Sequence, residues 1–286
     1  MTLAPSFPKQ IDLHLHAGQE RDQPIDQLVG SFIERGITFL GLLDHSELYS
    51  MGDKALRAKF GQLVYHSTPG GLMDFYQDIE DLCLEYQEAS IFKGLELPEW
   101  EIFSVETGLL ERADFLGCHM NTSCHDPGYR HYTKATCGEH LATRANQLLR
   151  LCRPLDKPAV LFHPFHRRIQ EMRSLAEGGG DPGQEQVLTE EDLDFFFENT
   201  STEHLYVELN FGDIFSASPY PGILDSLGST CRMLREGGIG FSLGSDYHRT
   251  PREFRDPDEI VAALGLGIGD ISIIDELLSK SRRAQS

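Results

Sequence analysis

The sequence predicts a parallel α/β fold closed into a barrel. Three observations carry that expectation. Short apolar runs alternate with longer helical patterns along the chain. Seven such runs occur in 286 residues, which suits a barrel better than an open sheet. Residues able to ligate metals recur just where successive runs end, and in β/α barrels the C-terminal strand ends are where sites are built.

The strand cores are expected at Ile11–Leu13, Thr38–Leu43, Ile91–Leu95, Ala113–Leu116, Ala159–Phe162, Leu205–Leu209 and Ile239–Leu243. Helices are expected at Ile25–Arg35, Leu72–Ala89, Gly138–Arg153, Glu190–Asn199, Ile223–Glu236, Pro257–Leu264 and Asp270–Ser281. Thr189-Glu-Glu-Asp192 and Asp256-Pro-Asp-Glu259 have the form of N-caps followed by acidic first turns. Two stretches read as surface insertions. Asn121–Thr136 is rich in His, Asp, Gly and Tyr, and Ala176–Gln186 contains Gly178-Gly-Gly180 and Pro182, which favours a mobile loop. No repeat or linker divides the chain, so residues 1–286 are read as one domain.

Composition narrows the partners. A formal net charge of -20 repels phosphate backbones and anionic membranes, which argues against long nucleic acids. A small anionic substrate would need local positive charge, and bound cations can supply it. The six cysteines form no C-x-x-C pair and read as reduced thiols of a cytoplasmic protein. The first ten residues lack the layout of a signal peptide, and no apolar run approaches the roughly 18 residues that suggest a membrane span. Oligomeric state is not readable.

The chemistry lies in the histidines and acids. His14 and His16 are two apart in a strand, so both can reach one ion. His45 follows strand two, Glu96 closes strand three, His119 follows strand four and His163 strand five. Asp246 and His248 follow strand seven. Imidazoles and carboxylates without thiolate suit zinc, iron or manganese, two or three ions in all. A carboxylate such as Glu96 can bridge two ions. Such a pair can hold a hydroxide and stabilise both the attacking and the leaving oxygens of an in-line displacement, as phosphoester hydrolysis requires.

The order H-x-H, D-H, G-x-E, lone His, H-P and S-D-x-H, running from His14 to His248, resembles the polymerase-and-histidinol-phosphatase (PHP) superfamily. Asp44-His45 and Ser245-Asp-Tyr-His248 make the likeness specific, since amidohydrolases also begin with H-x-H. The resemblance implies a distorted TIM-like (βα)7 barrel, a trinuclear metal centre and hydrolysis of a small phosphate ester, with Glu96, Asp246 and His248 nearest the chemistry. It implies His14, His16, Glu96 and Asp246 around one ion, His45 and His248 at a second, and His119, His163 and Glu96 at a third. Family members also carry a His or Asp shortly after the first motif; Asp22 matches best, with Glu20 as its rival.

Around these residues, Arg167, Arg168 and Arg249 are candidate phosphate contacts, because a guanidinium fork pairs two oxygens. Ordinary salt-bridged arginines are the alternative. His166 is a candidate substrate contact or proton donor to the leaving group, against a plain surface role. Asn210, in Glu208-Leu-Asn210, reads as orienting a ligand or a loop, or as a helix cap. Asp12 and Asp44 alternate away from the ion and should be buried supports. The stretch from His119 to Thr136 carries His125, Tyr129, Arg130, His131, Tyr132 and Lys134 on the expected active face, where long loops shape specificity. Glu99 and Glu101 are not expected to ligate.

Other classes find little support. There is no G-x-S-x-G elbow and no G-x-x-x-x-G-K-[ST] loop, and Gly265-Leu-Gly-Ile-Gly269 follows a helix rather than a strand. The rival enzyme is an amidohydrolase-like barrel cleaving C–N or C–O bonds. Such enzymes typically carry a lysine or carboxylate bridge after strand four, where this chain has His119. A barrel with a degenerate site is the non-enzymatic alternative.

Overall fold

The computed structural model describes residues 11–98, 105–120, 137–247 and 256–284. Seven parallel strands form one sheet in chain order: β1 (Ile11–His16), β2 (Phe39–Leu43), β3 (Ser90–Leu97), β4 (Phe115–His119), β5 (Ala159–Phe162), β6 (Leu205–Asn210) and β7 (Gly240–Gly244). The sheet curls until its edges meet. Leu15 bridges Tyr247 in parallel, His16 N donates to Tyr247 O at 3.0 Å, and Asp246 N donates to His14 O at 2.8 Å. The molecule is therefore an α/β barrel of TIM type with seven strands.

Helices α1 (Ile25–Ile33), α2 (Asp53–Phe60), α3 (Pro69–Glu85), α4 (Thr107–Arg112), α5 (Cys137–Cys152) and α6 (His166–Glu177) lie between the strands. They are followed by α7 (Glu190–Asn199), α8 (Phe211–Ala217), α9 (Pro221–Glu236), α10 (Pro257–Ala263) and α11 (Ile273–Ala284). No helix among the described residues is long and apolar enough to cross a membrane. The described cysteines, Cys83, Cys118, Cys137, Cys152 and Cys231, are free thiols.

The strands are buried on both faces, as parallel strands covered by helices must be. Beneath the C-terminal mouth, Phe115 and Phe162 are fully buried and meet edge to face, with centroids 6.5 Å apart. They floor the site, for the Phe162 ring centroid lies 4.1 Å from that of His14. Gly117 makes this layer fit, because a Cβ there would stand 1.8 Å from a Phe162 ring carbon.

Sequence and structure differ in instructive places. β4 starts at Phe115 and carries His119 as its last residue, since Asp114 is occupied in pairing with the Lys93 backbone. α3 begins at Pro69, three residues before Leu72, because Thr68 caps it by accepting from Gly71 N. The expected loop at Ala176–Gln186 is partly ordered: its first residues end α6, and Pro182–Gln184 make a 3-10 turn capped by Asp181. α2, α4, α6 and α8 have no counterpart among the expected helices. The Asn121–Thr136 insertion, Glu99, Glu101, His248 and Arg249 lie outside the described residues.

Candidate metal centre

The strand ends deliver the expected side chains to one point. His14 and His16, both buried, aim their Nε2 atoms at each other across 3.1 Å. Glu96, also fully buried, sits between two sets of imidazoles. Its Oε2 lies 3.5 Å from His14 Nε2, 3.2 Å from His16 Nε2 and 3.3 Å from His45 Nδ1. Its Oε1 lies 3.5 Å from His163 Nε2 and 4.0 Å from His119 Nδ1. Asp246 Oδ1 closes one side at 3.4 Å from His14 Nε2 and 3.2 Å from His16 Nε2.

The backbone bends to make this possible. His163 (φ 32°) and Asp246 (φ 56°) adopt the left-handed region, although neither is glycine. Such conformations cost about 1–3 kcal/mol each and persist where the surroundings impose them, characteristically at functional sites.

This donor set fits divalent cations. Donors about 2.1 Å from a tetrahedral ion stand about 3.4 Å from one another. Three overlapping triads meet that spacing approximately, with donor atoms within 4.8 Å: His14, His16 and Glu96; His14, His163 and Asp246; and Glu96, His119 and His163. Neither Glu96 oxygen has a hydrogen-bond partner of ordinary geometry among the described residues. The buried Glu96 carboxylate needs a positive charge beside it, from protonated imidazoles or from ions.

The electrostatics tell the same story. Burial raises the Glu96 pKa, but the His45, His14, His16 and His163 imidazoles outweigh it and hold Glu96 well below the usual carboxylate range. Burial lowers the His14 pKa, yet Glu208 and Asp246 hold it well above the ordinary histidine value. His163, also lowered by burial but more strongly raised by Glu96 and Asp246, reaches about 9. His45 is driven down to about 3, chiefly by burial and then by His16, against the pull of Glu96. Of the imidazoles around Glu96, His14 and His163 are thus raised and His45 is lowered.

A shell of partners orients the donors. Glu208 Oε1 accepts from His14 Nδ1 at 2.6 Å, its Oε2 accepts from the His163 backbone N at 2.7 Å, and Asn210 Nδ2 donates to Oε2 at 3.4 Å. A carboxylate on the far ring nitrogen fixes a ligand histidine's tautomer and angle. Gly244 permits that contact: a Cβ there would lie 2.3 Å from His14 Cβ and 2.5 Å from Glu208 Oε1. Asp12 Oδ1 accepts from the backbone N of His14 (3.2 Å) and of Ser245 (3.0 Å), tying β1 to the turn that carries Asp246. Asp44 accepts from Gln19 N, His45 N and the Tyr49 hydroxyl at 2.8, 2.9 and 2.8 Å. Both acids are the buried supports that alternation predicts.

Other expected residues are placed differently. Asp22 is exposed and belongs to none of the triads. Its rival Glu20 is largely buried, pairs with Lys59 at 3.7 Å, and raises the His45 pKa by its charge. Neither Glu20 nor Asp22 belongs to a triad among the described residues. Arg168 is held in the flank of α6, to Glu171 (3.1 Å), the Gln186 carbonyl (3.0 Å) and Glu185, and Arg167 bridges to Glu171 at 3.1 Å. The salt-bridged alternative describes Arg168, whose fork is committed. Asn210 both touches Glu208 and caps α8, accepting from Asp213 N at 3.2 Å. His166 lies at the rim, its ring centroid 6.5 Å from that of His163.

Sequence reasoning assigned no role to three acids. Glu208 follows the same strand-end rule as Glu96 and was legible. Glu47, with Oε1 3.8 Å from His45 Nδ1, is pushed up to about 7 by burial. Asp213, buried against His166, gave no local signal.

No family model matches the chain, and no curated protein matches it. Among solved structures, a chain in the cryo-EM structure of archaeal Ribonuclease P with mature tRNA is similar over 96% of this chain and 88% of that one, with TM-score 0.47 and 8% identity. A likeness at that level carries no functional argument. The fold and the site define the class on their own: a seven-stranded β/α barrel with a buried His/Glu/Asp cluster, able to hold metal ions, at its C-terminal mouth.

Proposed function

We propose that the chain is a metal-dependent phosphoesterase acting on a small phosphate ester, as its resemblance to the PHP superfamily implies. The observation that carries the reading is Glu96. One of its oxygens faces His14, His16 and His45, and the other faces His119 and His163. A carboxylate split between two imidazole sets is what a shared ligand of neighbouring cations requires. His14, His16, Glu96, His163 and Asp246 would hold the ions, with His119 and His45 on either flank. Bound there, two or three zinc, manganese or iron ions would supply Lewis acidity to water and to the phosphoryl oxygens. The chain's own contribution is to fix the donors, through Glu208 and Asp12, and to exclude water below them with Phe115 and Phe162.

The test pairs metal analysis with two substrate classes. Purified protein supplied with manganese should hold at least two ions per chain. It should turn over p-nitrophenyl phosphate rather than lactones or cyclic amides. Glu96→Gln should remove at least one ion and most of the turnover. Lactone or amide turnover with no phosphatase activity would transfer the site to the amidohydrolase-like reading, and well under one ion per chain would make it degenerate.

A further inference from the structure

His45 stands on the flank of the cage, in none of the three triads, yet its Nδ1 lies 3.3 Å from Glu96 Oε2. The turn that follows it returns a further acid to the same place. Ser46–Tyr49 form a 3-10 turn, closed by Leu48 N donating to His45 O at 3.2 Å. Asp44 grips the turn at both ends, accepting from His45 N at 2.9 Å and from the Tyr49 hydroxyl at 2.8 Å. Ser67 Oγ holds its middle by donating to Leu48 O at 2.6 Å. So fastened, the turn sets Glu47 with Oε1 3.8 Å from His45 Nδ1.

Glu47 has no obvious reason to be there on its own account. Its side chain is only 25% exposed, and its Oε2 is buried without a hydrogen-bond partner among the described residues. The fully buried Glu96 Oε2 has none of ordinary geometry either. The two carboxylates are near enough for their charges to repel, and Lys59 acts on Glu47 more weakly than Glu96 does. Burying like charges together is costly unless a counter-charge joins them. A cation between them removes the repulsion and satisfies both oxygens. Donors about 2.1 Å from a six-coordinate ion stand about 3.0 Å apart when adjacent and about 4.2 Å apart when opposite. The separations of His45 from Glu96 and from Glu47, 3.3 and 3.8 Å, fall between these limits. Three rotatable side-chain bonds let Glu47 close on the ion as it binds.

We infer that Glu47 is a metal ligand, joining His45 Nδ1 and Glu96 Oε2 around one divalent cation. This rests on the reading of the cluster as a metal centre and changes its ligand set. The resemblance seeks an acid for the cage shortly after His16, with Asp22 the best match, and Asp22 is exposed. Here the acid comes instead from two residues beyond His45, carried back by the 3-10 turn. Two carboxylate oxygens beside one imidazole suit a hard cation such as manganese.

The experiment counts manganese ions per chain and measures their affinities by competition with a chelator, without recourse to turnover. Glu47→Gln should release one ion, or weaken it by more than the roughly 10- to 100-fold that loss of an outer partner costs, while the remaining ions stay. Asp22→Asn and Glu20→Gln should keep the full complement. Glu47→Asp, which keeps the charge and shortens its reach, should weaken the same ion alone and serves if the amide variant does not fold. An unchanged complement and affinity in the Glu47 variants, loss of every ion from them at once, or loss of the ion from Asp22→Asn or Glu20→Gln instead, overturns the assignment. Wild-type protein that takes up no manganese overturns the metal-centre reading itself.

Discussion

At the residue scale, Glu208 shows how much of the site lies behind the ligands. Its two oxygens hold the His14 ring and the His163 backbone at 2.6 and 2.7 Å, so one side chain aligns donors from two strands. Glu208→Gln keeps the shape but can no longer accept from both. Loss of such a partner lowers metal affinity by about 10- to 100-fold, which competition with a chelator would measure. An unchanged affinity would reduce Glu208 to packing. The residues of the cluster were readable, since residue type and strand-end position name His14, His16, His45, Glu96, His119, His163 and Asp246. What could not be read was the exposure of two nearby acids. Glu20 and Asp22 differ by two residues in a loop without period, and only the path of the chain makes the first half-buried and the second exposed.

At the scale of elements, strands were more legible than helices, for a reason visible in the helices that were missed. α2 buries only Leu56, and α6 buries only Ile169 and Met172, so neither carries a broad apolar stripe. α8 is seven residues long and is set by the Asn210 cap rather than by periodicity. By contrast α7, with the Thr189–Asp192 capping box, lies where the sequence put it. At the end of the barrel away from the metal centre, Glu276 ties α11 to β6. It accepts from Tyr206 Oη at 2.6 Å and pairs with His204 at 2.8 Å and Lys280 at 2.9 Å. Burial raises its pKa, but the Tyr206 bond and Lys280 prevail and depress it below the usual 4.5. A depressed carboxylate stabilises the fold above its unfolded pKa and ceases to do so as pH falls through its folded value. Glu276→Gln should therefore cost about 1–2 kcal/mol near pH 7, with the deficit shrinking as pH drops below about 4.5. Denaturant melts at both pH values would show it, and a deficit that does not vary with pH would refute the linkage.

At the scale of the whole molecule, the donors belong to strands from both ends of the chain, so the cage exists only when the barrel is shut. The Asp12 bonds to His14 and Ser245 and the Leu15–Tyr247 bridge make that closure. Cations that bind the closed form alone must stabilise it. At 100 times the dissociation constant this amounts to about 2.7 kcal/mol, several degrees in Tm for a chain of this size. Removing ions with a chelator should lower Tm by that amount and manganese should restore it. A Tm indifferent to both would mean that the cage binds no ion tightly.

The sequence by itself determined the alternation of strands and helices, the barrel, and the residue types at its mouth, because these depend on periods and positions within a few neighbours. Tertiary structure decided the rest. It set Glu96 between two imidazole sets and paired His14 with Glu208 and His166 with Asp213. These are contacts between residues far apart in the chain, fixed by strand register and by the closing of β1 on β7, and no local pattern encodes either.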